Sequence, residues 1–242
     1  MEPFSIPDPL RDLIDSYPAP RRVLDAANRG GEQARIALVR LWLSEGIPHA
    51  FHKCPAVYES VRTWLSAMLN VHAKEIGMVG SARLGASLAP QKLGEPFSKT
   101  SDLDFFVVSK SLFEKVKEEF CQWSLDFESG VVTPRNAAEE THWKSNAKRG
   151  PGLIARGFLD PKKMIPNTDR YPETAKIINR MWVLVEKLRR TPSAPRPKEA
   201  SVRCYMSWDS FVRQTSLNLS KGVPAKSSAW RGEGSSGTQG PD

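Results

Sequence analysis

Two carboxylates in this chain have a type and spacing that could do chemistry. Asp102 and Asp104 stand one residue apart in the run "SDLDFFVVS", where an apolar stretch begins. Because side chains alternate along a β-strand, the two aspartates are predicted to share one face and to lie close together. Two bare carboxylates so close repel each other unless a cation lies between them. The pair therefore predicts a metal site.

The ion best suited to such a pair is Mg²⁺, with Mn²⁺ as an alternative. Mg²⁺ prefers oxygen ligands and typically binds one or two carboxylates together with the phosphate groups of a substrate. Two such ions about 4 Å apart can activate an attacking oxygen and stabilise the leaving one. The spacing indicates phosphoryl-transfer chemistry, although an isolated pair of this kind at a strand edge is most often a solvated turn.

A glycine-serine pair upstream makes the phosphoryl-transfer interpretation more specific. Gly80 closes the apolar run "EIGMVG", and Ser81 follows it directly before "ARLGAS", which is predicted to begin a short helix. Free backbone N–H groups at such a turn, together with the serine hydroxyl, can hold a triphosphate. The two motifs in this order, each beside a predicted strand, predict a nucleotide site more strongly than either does alone.

The hydrophobic periodicity places these motifs on a framework of mixed helices and strands. Short apolar runs predict strands at 75–80, 103–109, 152–160 and 201–206. Three- and four-residue spacing predicts helices at 32–45, 55–70, 111–127, 171–190 and 208–220. We therefore expect an α/β (α+β) fold with a small mixed sheet, packed by N-terminal and C-terminal helices.

The stretch "VGSARLG…SDLDFFVVS" resembles the polymerase β-like nucleotidyltransferase superfamily, and the resemblance covers roughly residues 75–125. The superfamily's signature is an apolar residue, Gly-Ser, a spacer, and D-x-D within a strand. The resemblance implies that Gly80 and Ser81 contact the nucleotide phosphates and that Asp102 and Asp104 ligate Mg²⁺. The wider chain looks like a group of bacterial nucleotidyltransferase-domain proteins, a likeness that brings no assigned substrate with it.

The spacer between the two motifs departs from the superfamily's pattern. Asp102 follows Ser81 by 21 positions, which is longer than the usual spacer, and the extra residues are predicted to form a loop over the site. Arg83 and Lys99 are candidates for contacts with the phosphates. A solvated surface position is the alternative for the lysine.

The chain also departs from the superfamily's pattern in lacking an obvious third carboxylate. Catalytic members of the superfamily generally carry a third acidic residue on a neighbouring strand, where it acts as a base or completes a second metal site. Asp160 is the preferred candidate because the apolar run "ARGFL" precedes it, and Asp126 is the other. If neither fits, the site binds nucleotide but transfers it poorly or not at all.

Composition and charge limit the partners and the compartment. The net charge is +8, and residues 144–242 carry 19 Lys and Arg against 8 Asp and Glu. This excess predicts a polyanionic partner such as RNA, although a solvated basic surface explains it equally well. No apolar run is long enough to span a membrane, and the chain lacks a signal-peptide pattern at its start. We therefore expect a cytoplasmic protein that does not insert into a membrane.

Four segments are predicted along the chain: an N-terminal helical segment (1–70), a nucleotidyltransferase core (71–165), a C-terminal helical region (166–221) and a disordered tail (222–242). The favoured function is Mg²⁺-dependent transfer of a nucleoside monophosphate from an NTP, such as ATP, to an RNA, nucleotide or protein acceptor. The alternative is a non-catalytic nucleotide-binding subunit. Such a subunit would be an antitoxin-like partner of a protein from the same operon, in a bacterial toxin-antitoxin or antiviral defence system.

Overall fold

The structure is a computed structural model that describes residues 6–222, so nearly all of the predicted tail lies outside the described residues. The helices are α1 (Asp8–Arg11), α2 (Pro20–Arg29), α3 (Gly31–Leu41), α4 (Pro55–Leu69), α5 (Ser81–Leu84), α6 (Lys110–Glu128), α7 (Ala137–Ala155), α8 (Pro161–Met164), α9 (Pro172–Arg190) and α10 (Trp208–Gly222). The strands are β1 (Ile76–Val79), β2 (Leu103–Val108), β3 (Phe158–Leu159) and β4 (Ala200–Tyr205). Within 6–222, none of these helices is both long and apolar enough to cross a membrane.

The four strands form one mixed sheet in the order β1-β2-β4-β3. β1 and β2 are antiparallel, with Val79 opposite Asp104, and β2 and β4 are parallel, with Asp104 opposite Ser201. β3 pairs antiparallel with the end of β4. The predicted α+β fold with a small mixed sheet is therefore confirmed.

Each face of the sheet is covered by a different set of helices. Leu103, Phe105 and Val107 point to one face and are fully buried in a core with residues of α4, α6 and α9. Phe106 and Val108 point to the other face and pack in a second core with residues of α2, α3 and α10. Asp104 precedes Phe106 in this second row, so strand alternation directs its carboxylate toward the second face.

The sheet differs from the sequence-based expectation at two strands. The predicted strand 152–160 is wrong over most of its length, because α7 continues to Ala155 and only Phe158–Leu159 is extended. A short apolar run does not distinguish a buried strand from the end of a buried helix. The strand expected at 201–206 is present as β4 and lies between β2 and β3, so the sheet includes residues from the C-terminal region 166–221.

The end of α7 depends on close contact with α6. Gly150 is buried against the ring of Phe120, and a Cβ atom at position 150 would overlap that ring. Gly152 lies two residues further along the same helix, where an added Cβ would meet only the end of the Arg156 side chain at 3.9 Å. Both glycines flank Pro151, which lies inside the helix.

Gly150→Ala should therefore lower the free energy of unfolding, whereas Gly152→Ala should not. Overpacking against Phe120 should destabilise Gly150→Ala by about 1–3 kcal/mol. The better helix propensity of alanine should leave Gly152→Ala unchanged or stabilised by up to ~1 kcal/mol. Urea unfolding followed by circular dichroism measures both variants, and equal effects would contradict the close α6–α7 contact.

Candidate functional site

The corner after β1 requires a glycine. Gly80 has φ 73° and ψ −154°, a conformation that side chains with a Cβ atom rarely adopt. A Cβ atom at this position would also lie 3.3 Å from Oδ2 of Asp104. Because Val79 pairs with Asp104 across β1 and β2, the Gly80–Ser81 corner lies directly beside this carboxylate.

The two oxygens of the Asp104 carboxylate have different surroundings. Oδ1 accepts a hydrogen bond from Ser201 Oγ at 2.9 Å and another from Arg203 Nη2 at 3.2 Å. Oδ2 faces Gly80 and accepts no hydrogen bond from the described side chains, which are those of residues 6–220. Outer contacts of this kind orient a carboxylate whose other oxygen binds a ligand. Asp104 is therefore held by β4 and still has an oxygen directed at the corner.

Asp160 lies on the other side of Arg203. Its Oδ2 is 3.8 Å from Arg203 Nε, and its Oδ1 accepts a hydrogen bond from the backbone N–H of Lys163 as the N-cap of α8. Only 5% of the residue is exposed. Burial raises the pKa of Asp160 above its ordinary value, an effect that Arg203 and Lys163 only partly offset. Asp160 is thus close to the site and screened from it by an arginine.

Two other predicted site residues, Asp102 and Lys99, lie outside the pocket wall. Asp102 is exposed just before β2. Lys99 is exposed in the loop that precedes it. The structure therefore brings together Gly80, Ser81 and Asp104 in one pocket wall, and Asp102 is not part of that wall.

Arg83 points into a different part of the molecule. It is buried, and its guanidinium donates hydrogen bonds to the backbone carbonyl oxygens of Glu45 and Ile47. The guanidinium carbon also lies 5.6 Å from the centre of the Tyr17 ring. Burial lowers the pKa of Arg83. These contacts tie the segment after α3 to α5, and both Nη atoms of Arg83 are used in them.

A pocket of about 450 Å³ lies in front of the corner. This volume is within the range of small-molecule and cofactor sites, about 300–1,000 Å³. Besides Gly80, Ser81, Asp104 and Arg203, the described wall consists of polar groups from α10 and the loop after α5, and of apolar side chains. These residues are Leu24, Leu43, Val79, Ser87, Leu88, Ala89, Pro90, Tyr205, Thr215, Asn218 and Leu219.

The predicted metal ligands fit an ion that takes only part of its shell from the protein. Within 6–222, no group of three or more His, Cys, Asp or Glu side chains is arranged to hold a metal. Asp104 has one uncommitted oxygen and Asp102 is exposed nearby in sequence. Mg²⁺ commonly binds one or two carboxylates and completes its shell with phosphate oxygens and water. Asp104 is the one carboxylate of the described pocket wall, and its uncommitted oxygen is compatible with an ion that takes its other ligands from a substrate or from water.

Asp126, the other candidate for the third carboxylate, has a packing role. It is buried on α6 and accepts hydrogen bonds from Arg170 Nε at 2.6 Å, Gln122 Nε2 at 2.9 Å and the Tyr171 hydroxyl at 2.9 Å. Arg170 holds the pKa of Asp126 well below its usual range. Asp126 is not part of the pocket wall described above, and its contacts fix the start of α9 against α6.

Sequence reasoning missed Ser201 and Arg203, the residues that hold Asp104. Both stand in "ASVRCY", where polar and apolar residues alternate, so the pattern itself predicts a strand with one polar face. Their relevance follows only when β4 is placed beside β2, a pairing that joins residues 97 positions apart. Thr215 and Asn218 on α10 were missed for the same reason.

Comparison of the chain with family models, with curated proteins and with solved structures gave no match. The function is therefore inferred from the site itself.

Replacing Asp160 with asparagine should make folding less sensitive to pH. Asparagine still accepts the N-cap hydrogen bond but cannot ionise. The pKa of Asp160 is raised in the folded protein, so the folded state favours the neutral carboxyl group. The stability that this neutral group contributes is fully present below the unfolded pKa of about 4. It is lost as the pH rises through the folded pKa, because the buried group must then ionise. Asp160→Asn should therefore match the wild type near pH 4 and unfold at higher urea at pH 8.

Urea unfolding at a series of pH values measures this difference. A variant that is less stable than the wild type at pH 8 would show that the attraction between Asp160 and Arg203 outweighs the cost of burying the charge.

Proposed function

We propose that this protein is a cytoplasmic nucleotidyltransferase. It binds a nucleoside triphosphate with Mg²⁺, or Mn²⁺, in the pocket before the Gly80–Ser81 corner. It transfers the nucleoside monophosphate to an acceptor and releases pyrophosphate. The observation that carries the proposal is the placement of the Asp104 carboxylate against this corner within one pocket, with Oδ2 facing Gly80.

The pocket wall suggests how the nucleotide is oriented. Backbone N–H groups at the corner and the Ser81 hydroxyl supply donors for the phosphates, and no side chain at position 80 blocks their approach. Thr215 and Asn218 of α10 offer polar groups to the sugar or base, while Leu24 and Leu219 provide apolar surface. The phosphates therefore lie next to Asp104, and the base lies toward α10.

Asp104 and Asp102 are the residues that would hold the metal. When bound, the ion neutralises the charge that develops on the phosphoryl oxygens, which is the main requirement of this kind of transfer. The hydrogen bond from Ser201 fixes the orientation of the Asp104 carboxylate, so that Oδ2 is presented to the pocket without reorganisation.

The acceptor is proposed to be RNA, a nucleotide or a protein hydroxyl. The excess of Lys and Arg in residues 144–242 favours a polyanionic acceptor. Asp160 would act as a base toward the acceptor only if Arg203 moved aside, because the carboxylate is buried behind it.

A second candidate function is supported by the residues opposite Asp104. The strand beside β2 carries Ser201 and Arg203 on its polar face instead of a carboxylate. This arrangement favours a non-catalytic protein that binds nucleotide and signals its presence. Such a protein would act on a partner from the same operon, as an antitoxin-like component of a bacterial toxin-antitoxin or antiviral defence system.

Label transfer from α-³²P-labelled NTPs tests the enzymatic proposal. The wild type is incubated with Mg²⁺, total RNA and cell lysate, and labelled RNA, protein and small molecules are separated. Asp104→Asn should reduce transfer on the order of 100-fold or more, because it removes the negative charge from the ligand oxygens. Asp209→Asn, the same change at an exposed position of α10 outside the pocket wall, should transfer like the wild type.

Thermal unfolding with each NTP and Mg²⁺ separates the two candidates. A ligand that binds only the folded protein raises the unfolding temperature, and this should occur for the wild type in either case. Stabilisation by an NTP without label transfer would support the non-catalytic candidate. Transfer that persists in Asp104→Asn would contradict the enzymatic site, and the absence of both stabilisation and transfer would contradict both candidates.

A further inference from the structure

Arg203 occupies the position between the two carboxylates nearest to the pocket. Its Nη2 lies 3.2 Å from Asp104 Oδ1 and its Nε lies 3.8 Å from Asp160 Oδ2. The side chain is about one quarter exposed and contributes to the same pocket wall as Gly80 and Ser81. The guanidinium is thus reachable from the pocket, whereas Asp160 behind it is not.

The guanidinium supplies the positive charge that these carboxylates need. Lys163 also approaches Asp160, at 4.0 Å, but its side chain is 66% exposed and its charge is largely solvated. Arg203 thus places the positive charge of its guanidinium between Asp104 and Asp160. A divalent ion placed between the same two oxygens would have to displace it.

Arg203 also has N–H donors that its contacts with the two carboxylates do not use. Guanidinium carries five N–H donors in a planar fork that matches a phosphate group. One nitrogen contacts Asp104 and a second faces Asp160, while Nη1 has no hydrogen-bond acceptor among residues 6–222. A half-buried arginine with unused donors in a pocket wall is suited to an anionic ligand.

We propose that Arg203 is the built-in cation of this site: it neutralises Asp104 and Asp160 when no nucleotide is bound, and it forms a forked contact with the phosphates when one is. The inference rests on the proposed nucleotide site and extends it. Arg203 takes the place between Asp104 and Asp160 that a metal ion would otherwise need, so Asp104 would hold one divalent ion at this site rather than two.

Removing this charge should have opposite effects on two ligands. Without Arg203, Asp104 lacks its counter-charge and should attract divalent ions even in the absence of nucleotide. The same change removes charged donors to the phosphates and should weaken NTP binding. A residue that merely supports the fold would not raise the affinity for one ligand and lower it for the other.

Two binding measurements on the full chain test this proposal. Mn²⁺ binding without nucleotide is measured from the free-ion signal in electron paramagnetic resonance, and binding of the four NTPs without metal is measured by calorimetry in EDTA. For Arg203→Gln we expect Mn²⁺ affinity to rise and NTP affinity to fall, each by about tenfold or more. Arg156→Gln is the matched control: Arg156 is also half-buried, donates one hydrogen bond to Gln214 at 3.3 Å, and lies outside the pocket wall.

Arg203→Lys keeps the charge and removes the fork, so it should lower NTP affinity and leave Mn²⁺ affinity near that of the wild type. If circular dichroism shows that Arg203→Gln does not fold, Arg203→Lys takes its place as the test variant. Arg203→Gln that binds Mn²⁺ no better than the wild type, or Arg203→Lys that binds NTP as well as the wild type, would overturn the proposal. Failure of the wild type to bind any NTP, with or without Mg²⁺, would instead overturn the nucleotide site, while the Mn²⁺ measurement would still report on the role of Arg203 between the carboxylates.

Discussion

The hydrogen-bonded contact of Asp104 with Ser201 and Arg203 is the interaction on which the site depends. A carboxylate in a row that continues with Phe106 and Val108 is costly to desolvate unless charged or polar donors satisfy it. β4 supplies both kinds of donor to one oxygen, at 2.9 and 3.2 Å. The other oxygen can then face the Gly80 corner, so one strand pairing both stabilises the charge and directs it.

The two faces of the sheet differ in polarity. The face under α4, α6 and α9 is packed throughout with apolar side chains, and this packing fixes the strands against each other. The opposite face is apolar only in part, because Asp104, Ser201 and Arg203 occupy the end where the pocket opens. The packed apolar face therefore fixes the positions of the strands that carry Asp104, Ser201 and Arg203 on the opposite face, as precise ligand sites require.

Local pattern was enough to predict the part of the site made by neighbouring strands. The apolar runs predicted β1 and β2, and alternation predicted the face of Asp104, because these features depend on few residues. Arg83 shows the limit of sequence proximity: it lies two residues after Ser81, yet its side chain turns toward Glu45 and away from the pocket. Asp160 was predicted to follow a strand next to the one that carries Asp104. In the structure β4 lies between β2 and β3, and Arg203 of β4 lies between Asp104 and Asp160. Strand order is set by long-range packing, which no local pattern encodes.

The parallel pairing of β2 with β4 also determines when the site can exist. Parallel strands require a crossover, and here α6 to α9 and β3 form it, so Asp104 and Ser201 are 97 positions apart. During synthesis Gly80, Ser81 and Asp104 emerge from the ribosome before β4. Asp104 therefore lacks its hydrogen-bond donors Ser201 and Arg203 until β4 has emerged. The pocket wall is therefore incomplete until β4 and α10, which supply Arg203, Thr215 and Asn218, have joined the earlier elements.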